Sequence, residues 1–205
     1  MTTLAHTKQL DRAMQGLANI KESRTQILDT IAKQILLQNR KLGKVQLVFI
    51  CTHNARRSQI AEALLKMSLA HFNIKSIEVN SAGTEKTSIP SQIMDLFIEE
   101  GYECTSENGN LTIVDHEIVL HLYSKTTDEL TELQDAIAIM VCDDANEKCP
   151  FIAGAPTKYA LTYTDPKSQD GAPSESKAYK ACFRKILTEM AYLALVLDEQ
   201  IGKSA

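Results

Sequence analysis

The chain has 205 residues, 44% apolar and 23% charged, which is ordinary for a soluble globular protein and sized for one domain with or without an appendage. A formal net charge of −4 supplies no global basic field, so nucleic acid is excluded as a partner and any anionic ligand must be held by local donors. The start Met1–His6 has no signal-peptide pattern, and the apolar runs near 45–50 and 136–141 are too short to span a membrane. Five cysteines (Cys51, Cys104, Cys142, Cys149, Cys182), an odd count, argue against a structural disulfide framework. The expectation is a cytoplasmic protein with no membrane association.

Residues 1–42 read as two helices, with Leu10, Met14 and Leu17, then Ile27, Leu28, Ile31 and Ile35, at helical spacing. Lys21-Glu22-Ser23 breaks them, with Ser23 as cap, and Gly43 ends the second. This extension carries no catalytic constellation and is assigned to packing or to formation of a homodimer, ahead of a domain over 43–205. Val45–Ile50 predicts a strand, Ser58–Phe72 a helix, Ile77–Ser81 a strand and Pro90–Glu100 a helix stopped by Gly101. Leu111–Val114 and Ile118–Tyr123 predict two strands, and Thr126–Leu133 a short helix. The apolar Ala136–Val141 fits a buried parallel strand, followed by a strand over Tyr159–Tyr163 and a long helix from Ser174 to about Gln200. That helix carries Tyr179, Phe183, Ile186, Met190, Leu193 and Leu197 on one face. Strands alternating with helices predict an α/β fold, a parallel sheet covered on both faces, with ligands beyond the carboxyl ends of the strands.

Three strand ends carry candidate chemistry. At the first, Cys51-Thr52-His53-Asn54-Ala55-Arg56-Arg57-Ser58 links a strand to a helix. Unpaired N–H groups at a helix start, and the positive end of its dipole, make a cradle for a tetrahedral anion. Arg57 adds a planar fork for two oxyanion oxygens, and the same field favours thiolate over thiol at Cys51. At the second, Cys142 and Cys149 flank a polar, acidic loop after the buried strand. At the third stands Thr164-Asp165-Pro166. Cys104 and Cys182 receive no role, Cys182 being placed in the core. His71, His116 and His121 lack ligand spacing, and no metal or organic cofactor is expected.

The pattern Cys-x5-Arg-Ser, with Asn at the fourth position, resembles the phosphate-binding loop of the low-molecular-weight protein tyrosine phosphatases and the thioredoxin-coupled arsenate reductases that share their fold. The Cys142/Cys149 pair resembles the redox loop of those reductases, and Asp165-Pro166 the loop that supplies the family's general acid. The resemblance covers residues 45–200. It implies Cys51 as nucleophile, Arg57 as oxyanion ligand, Asn54 and Ser58 as loop and thiolate support, and Asp165 as acid. Thr52, His53, Ala55 and Arg56 complete the oxyanion loop, while Cys142 and Cys149 are the attacking and resolving thiols. The implied substrate is arsenate, with a thioredoxin-like reductant as partner; the alternative is a phosphate ester such as phosphotyrosine. Lys167-Ser168 stands where the tyrosine phosphatases commonly carry two tyrosines, which weakens the phosphotyrosine reading.

Overall fold

The computed structural model describes residues 5–130, 133–144 and 155–202. In chain order it has α1 (Ala5–Gly16), a 3-10 turn (Leu17–Asn19), α2 (Glu22–Leu42), β1 (Val45–Cys51), α3 (Arg57–His71), β2 (Ile77–Gly83) and α4 (Ser91–Glu99). There follow β3 (Glu103–Glu107), β4 (Asn110–Asp115), β5 (Ile118–Leu122), a 3-10 turn (Thr127–Glu129), β6 (Ile137–Met140), β7 (Thr157–Ala160), a 3-10 turn (Pro166–Gln169) and α5 (Glu175–Gly202).

The main sheet is parallel, in the order β2-β1-β6-β7. Its central strands read Val45-Gln46-Leu47-Val48-Phe49-Ile50 and Ile137-Ala138-Ile139-Met140, and only Gln46 escapes burial. Such unalternating apolar runs need cover on both faces. α3 packs on β1, β2 and α5; α2 packs on β1 and α5; α1 packs on α3 and α5. One core runs through all of them, from Leu10 and Leu28 in the N-terminal helices to Leu197 in α5. Leu28, Ile31 and Ile35 of α2 are fully buried, each worth roughly 1.5–3 kcal/mol.

Several elements depart from expectation. Ser23 is not a cap: Lys21, in extended backbone, precedes α2, and Ser23 already lies inside the helix. Met14 is exposed rather than core. Of the helix expected over 126–133, Thr127–Glu129 is a 3-10 turn opened by a capping box between Thr126 and Glu129, and residues 131–132 lie outside the described residues. β7 starts and ends earlier than expected. Leu161 and Tyr163 still donate backbone hydrogen bonds to Met140 and Val141, beyond the ladder, so this segment follows β6 past its end. The pair of strands at 111–122 is joined by a third, β3, to make an antiparallel sheet β3-β4-β5.

Candidate active site

β1 carries Cys51 to the sheet's carboxyl edge, where it is 4% exposed. Residues 52–56 then bend into α3, which begins at Arg57. Asn54 sits at the turn with φ 46°, left-handed geometry that asparagine tolerates. Its fully buried side chain ties the loop together. The Lys125 backbone N–H (2.9 Å) and Gln59 Nε2 (3.0 Å) donate to its Oδ1, which fixes the amide orientation. Its Nδ2 donates to Ser58 Oγ (2.9 Å) and Ser81 Oγ (2.8 Å). Since Ser58 Oγ accepts there, its own proton is available to Cys51 Sγ, 3.1 Å away. In that direction the sulfur is the acceptor.

The support continues inward. Ser81 donates to Glu62 Oε2 (2.5 Å), a buried carboxylate also held by Lys66 (2.5 Å), with Lys125 Nζ at 3.7 Å. Lys125 is 3% exposed, its ammonium 4.3 Å from the Tyr123 ring centroid; burial lowers its pKa against the pull of Glu62. Gly83, at the end of β2, has no room for a side chain: a Cβ would stand 2.8 Å from the Thr52 carbonyl oxygen and 2.9 Å from the Asn54 nitrogen.

Among the described residues, the backbone N–H groups of His53, Asn54, Ala55 and Arg56 donate to no protein acceptor. Beside them, Arg57 donates from Nη1 to the Tyr163 carbonyl (3.0 Å) and from Nη2 to Asp165 Oδ2 (2.5 Å). Asp165 Oδ1 accepts from the Lys167 N–H (3.0 Å), so the carboxylate caps its own turn. Asp165, 108 residues from Arg57 in sequence, thus joins Cys51 and Arg57 at one edge. Free donors with a guanidinium suit a tetrahedral oxyanion. Arg56 turns away, donating to the Tyr179 hydroxyl and Asp170. Ala55 is buried, and His53 is exposed with its ring 3.5 Å from Glu85.

Cys142 lies just past β6, 1% exposed, its sulfur 3.6 Å from Thr52 Oγ1. A second thiol therefore touches the residue after Cys51. Cys149 lies outside the described residues. Cys182 is in the core as expected, its thiol pushed up to about 12 by burial; burial raises Cys104 to about 11. None of the four described cysteines is disulfide-bonded. Among the described residues, no group of three or more His, Cys, Asp or Glu side chains is placed to hold a metal ion, and no helix is long and apolar enough to cross a membrane.

Gln59, Glu62, Ser81 and Lys125 had not been singled out from sequence. Gln59 and Glu62 carried one signal: two polar side chains flanked by Ile60, Ala61, Ala63 and Leu64 on a helix buried nearly all round.

The family model for low molecular weight phosphotyrosine protein phosphatase matches residues 46–203. An arsenate reductase of Shouchella clausii is 25% identical over 134 residues, 65% of this chain and 83% of that protein. One from Staphylococcus epidermidis is 27% identical over 125 residues, 61% of this chain and 81% of that protein. The solution structure of a low molecular weight protein tyrosine phosphatase from Bacillus subtilis superposes with a TM-score of 0.53 at 19% identity, covering 77% of this chain and 99% of that one. At that identity the likeness speaks for the fold.

Proposed function

The chain belongs to the low molecular weight phosphotyrosine protein phosphatase family, and on that footing we propose that it reduces arsenate to arsenite through a relay of three thiols. The observation that carries the reading is Cys142, a buried second thiol 3.6 Å from the hydroxyl of Thr52, the residue after Cys51. Ester hydrolysis has no use for it.

In this reading the loop N–H groups and Arg57 hold arsenate facing Cys51. The thiolate, supported by Ser58, attacks arsenic and displaces an oxygen that Asp165 protonates, leaving a Cys51–arsenic(V) adduct. Cys142, as thiolate, attacks Cys51 Sγ. A sulfur–sulfur bond forms, the sulfur–arsenic bond breaks, and its electron pair leaves with arsenic as arsenite. Cys149 then attacks Cys142 Sγ, freeing the Cys51 thiolate and leaving a Cys142–Cys149 disulfide. A thioredoxin-like dithiol reduces that bond. Arg57 gives one N–H from each terminal nitrogen to Asp165 and the Tyr163 carbonyl, and in this reading its remaining N–H groups serve the oxyanion.

The Arg57–Asp165 pairing also supports a second reading, hydrolysis of phosphomonoesters, with water in place of Cys142. One experiment separates them. Cys142→Ser and Cys149→Ser should each abolish arsenate-dependent thioredoxin oxidation while leaving most aryl-phosphate hydrolysis intact. Cys149→Ser should accumulate a Cys51–Cys142 disulfide visible by mass spectrometry after arsenate exposure. Wild-type arsenate turnover in both variants removes the relay and leaves the hydrolase.

A further inference from the structure

Arg24 lies in α2, outside the region shared with the family, yet its contacts lead to the acid turn. Its Nε and Nη2 donate to the two carboxylate oxygens of Glu189 in α5, at 2.9 and 2.5 Å. Its Nη1 donates to the Thr162 carbonyl at 3.1 Å. The guanidinium lies 5.0 Å from the centroid of the Tyr163 ring. The pair is little exposed, 16% for Arg24 and 4% for Glu189. A planar fork can serve both partners and lie against a ring at once; a lysine cannot.

Residues 162–165 are therefore gripped from two sides. Arg57 takes the Tyr163 carbonyl and the Asp165 carboxylate, while Arg24 takes the Thr162 carbonyl and the Tyr163 ring. The first grip has a double task in turnover, because the same Arg57 guanidinium must also serve the oxyanion with its remaining N–H groups. The second is independent of substrate: Arg24's partners all lie outside the loop 51–58. We propose that Arg24 is a positioning residue, an addition of the N-terminal helices that keeps the Asp165 turn in place when substrate draws on Arg57. The inference rests on the reading of Asp165 as the general acid.

The test uses the full chain and two esters, 4-nitrophenyl phosphate with a good leaving group and phenyl phosphate with a poor one. The variants are Arg24→Met, Arg24→Lys, the double variant Arg24→Met/Glu189→Met, and Asp165→Asn. The double variant leaves no buried carboxylate unpaired, so it keeps the test open if Arg24→Met folds poorly. Amide hydrogen exchange over 161–168 is followed alongside. In Arg24→Met and the double variant, kcat should fall about tenfold on phenyl phosphate and less than about twofold on 4-nitrophenyl phosphate. Exchange over 161–168 should rise at least about tenfold, with Arg24→Lys in between. Unchanged exchange overturns the proposal, and so do equal losses on both esters when Asp165→Asn discriminates between them. Equal losses in Asp165→Asn itself overturn the acid role, and the exchange rates alone then uphold or overturn the grip of Arg24.

Discussion

Lowering the pH from about 7.5 to about 5 should weaken the native state by about 2 kcal/mol through His6 alone. His6 is 2% exposed in α1. Its Nδ1 is 2.9 Å from the Tyr102 hydroxyl and its Nε2 3.2 Å from Ser68 Oγ. The Ser68 hydroxyl proton goes to the Leu64 carbonyl, so Ser68 accepts from Nε2–H and Nδ1 accepts from Tyr102. That is a neutral ring with both nitrogens satisfied. Burial, and then the nearby His71, lower its pKa from 6.5 to about 3. With the folded value below the unfolded one, the unfolded state binds more protons. Stability is then complete above about pH 6.5, lost as pH falls below it, and the loss levels off near pH 3. One and a half pH units below the unfolded value correspond to about 2 kcal/mol. Urea unfolding at both pH values, in wild type and in His6→Gln, isolates the effect. Glutamine keeps a donor and an acceptor but does not titrate. Asp115, which caps α1 by accepting from the Ala5 and His6 N–H groups, is common to both proteins. Equal loss of stability in the two proteins would refute the assignment.

Cys51→Ser should abolish arsenate reduction and ester hydrolysis together, because an alcohol beside Ser58 is not ionised near neutral pH; surviving turnover in either assay removes Cys51 as nucleophile. Arg57→Lys should weaken inhibition by inorganic phosphate and lower kcat/KM by roughly 10–100-fold, since one ammonium cannot replace the fork that reaches Tyr163 and Asp165; near-normal kinetics would leave the loop N–H groups as the whole anion site. Gly83→Ala should push Thr52 and Asn54 out of place, lowering stability by about 1–3 kcal/mol and activity by more than about tenfold, and wild-type values for both would mean that the loop yields without consequence.

The strand–loop–helix around Cys51 was readable because its chemistry is contiguous: an apolar run, a polar turn and a helix start within twenty residues. Cys142 was readable at one remove, since the buried strand β6 announces itself by an unbroken apolar run; Asp165 follows β7, a half-buried strand whose bounds were misplaced, and stood out only through the Asp-Pro pair. β3 was not, because Glu103-Cys104-Thr105-Ser106-Glu107 is mostly exposed and its place depends on pairing with β4. The one local clue was Asn108-Gly109, which makes the two-residue turn between them with φ 53° and 77°. The Glu62–Ser81–Asn54 support was hidden for another reason. Glu62 and Ser81 are unremarked polar residues until the fold brings their segments to Asn54, and Lys125 comes from a fourth. Ser23 failed as a cap because the extended backbone stops two residues earlier, at Lys21, and no side chain caps that end.

The shared core of the N-terminal helices limits how the chain can be shortened. Trimming it before residue 43, to match its shorter relatives in length, would uncover the surfaces of α3, α5 and β1 that α1 and α2 now cover, and remove Leu10, Leu28, Ile31 and Ile35 from the core. It would also take Arg24 from Glu189 and Asp29 from the Tyr192 hydroxyl. A newly bared apolar patch of that kind is sticky at the concentrations used to express a protein. The trimmed product should collect in the insoluble fraction, with its catalytic loop sequence intact and no enzyme to assay.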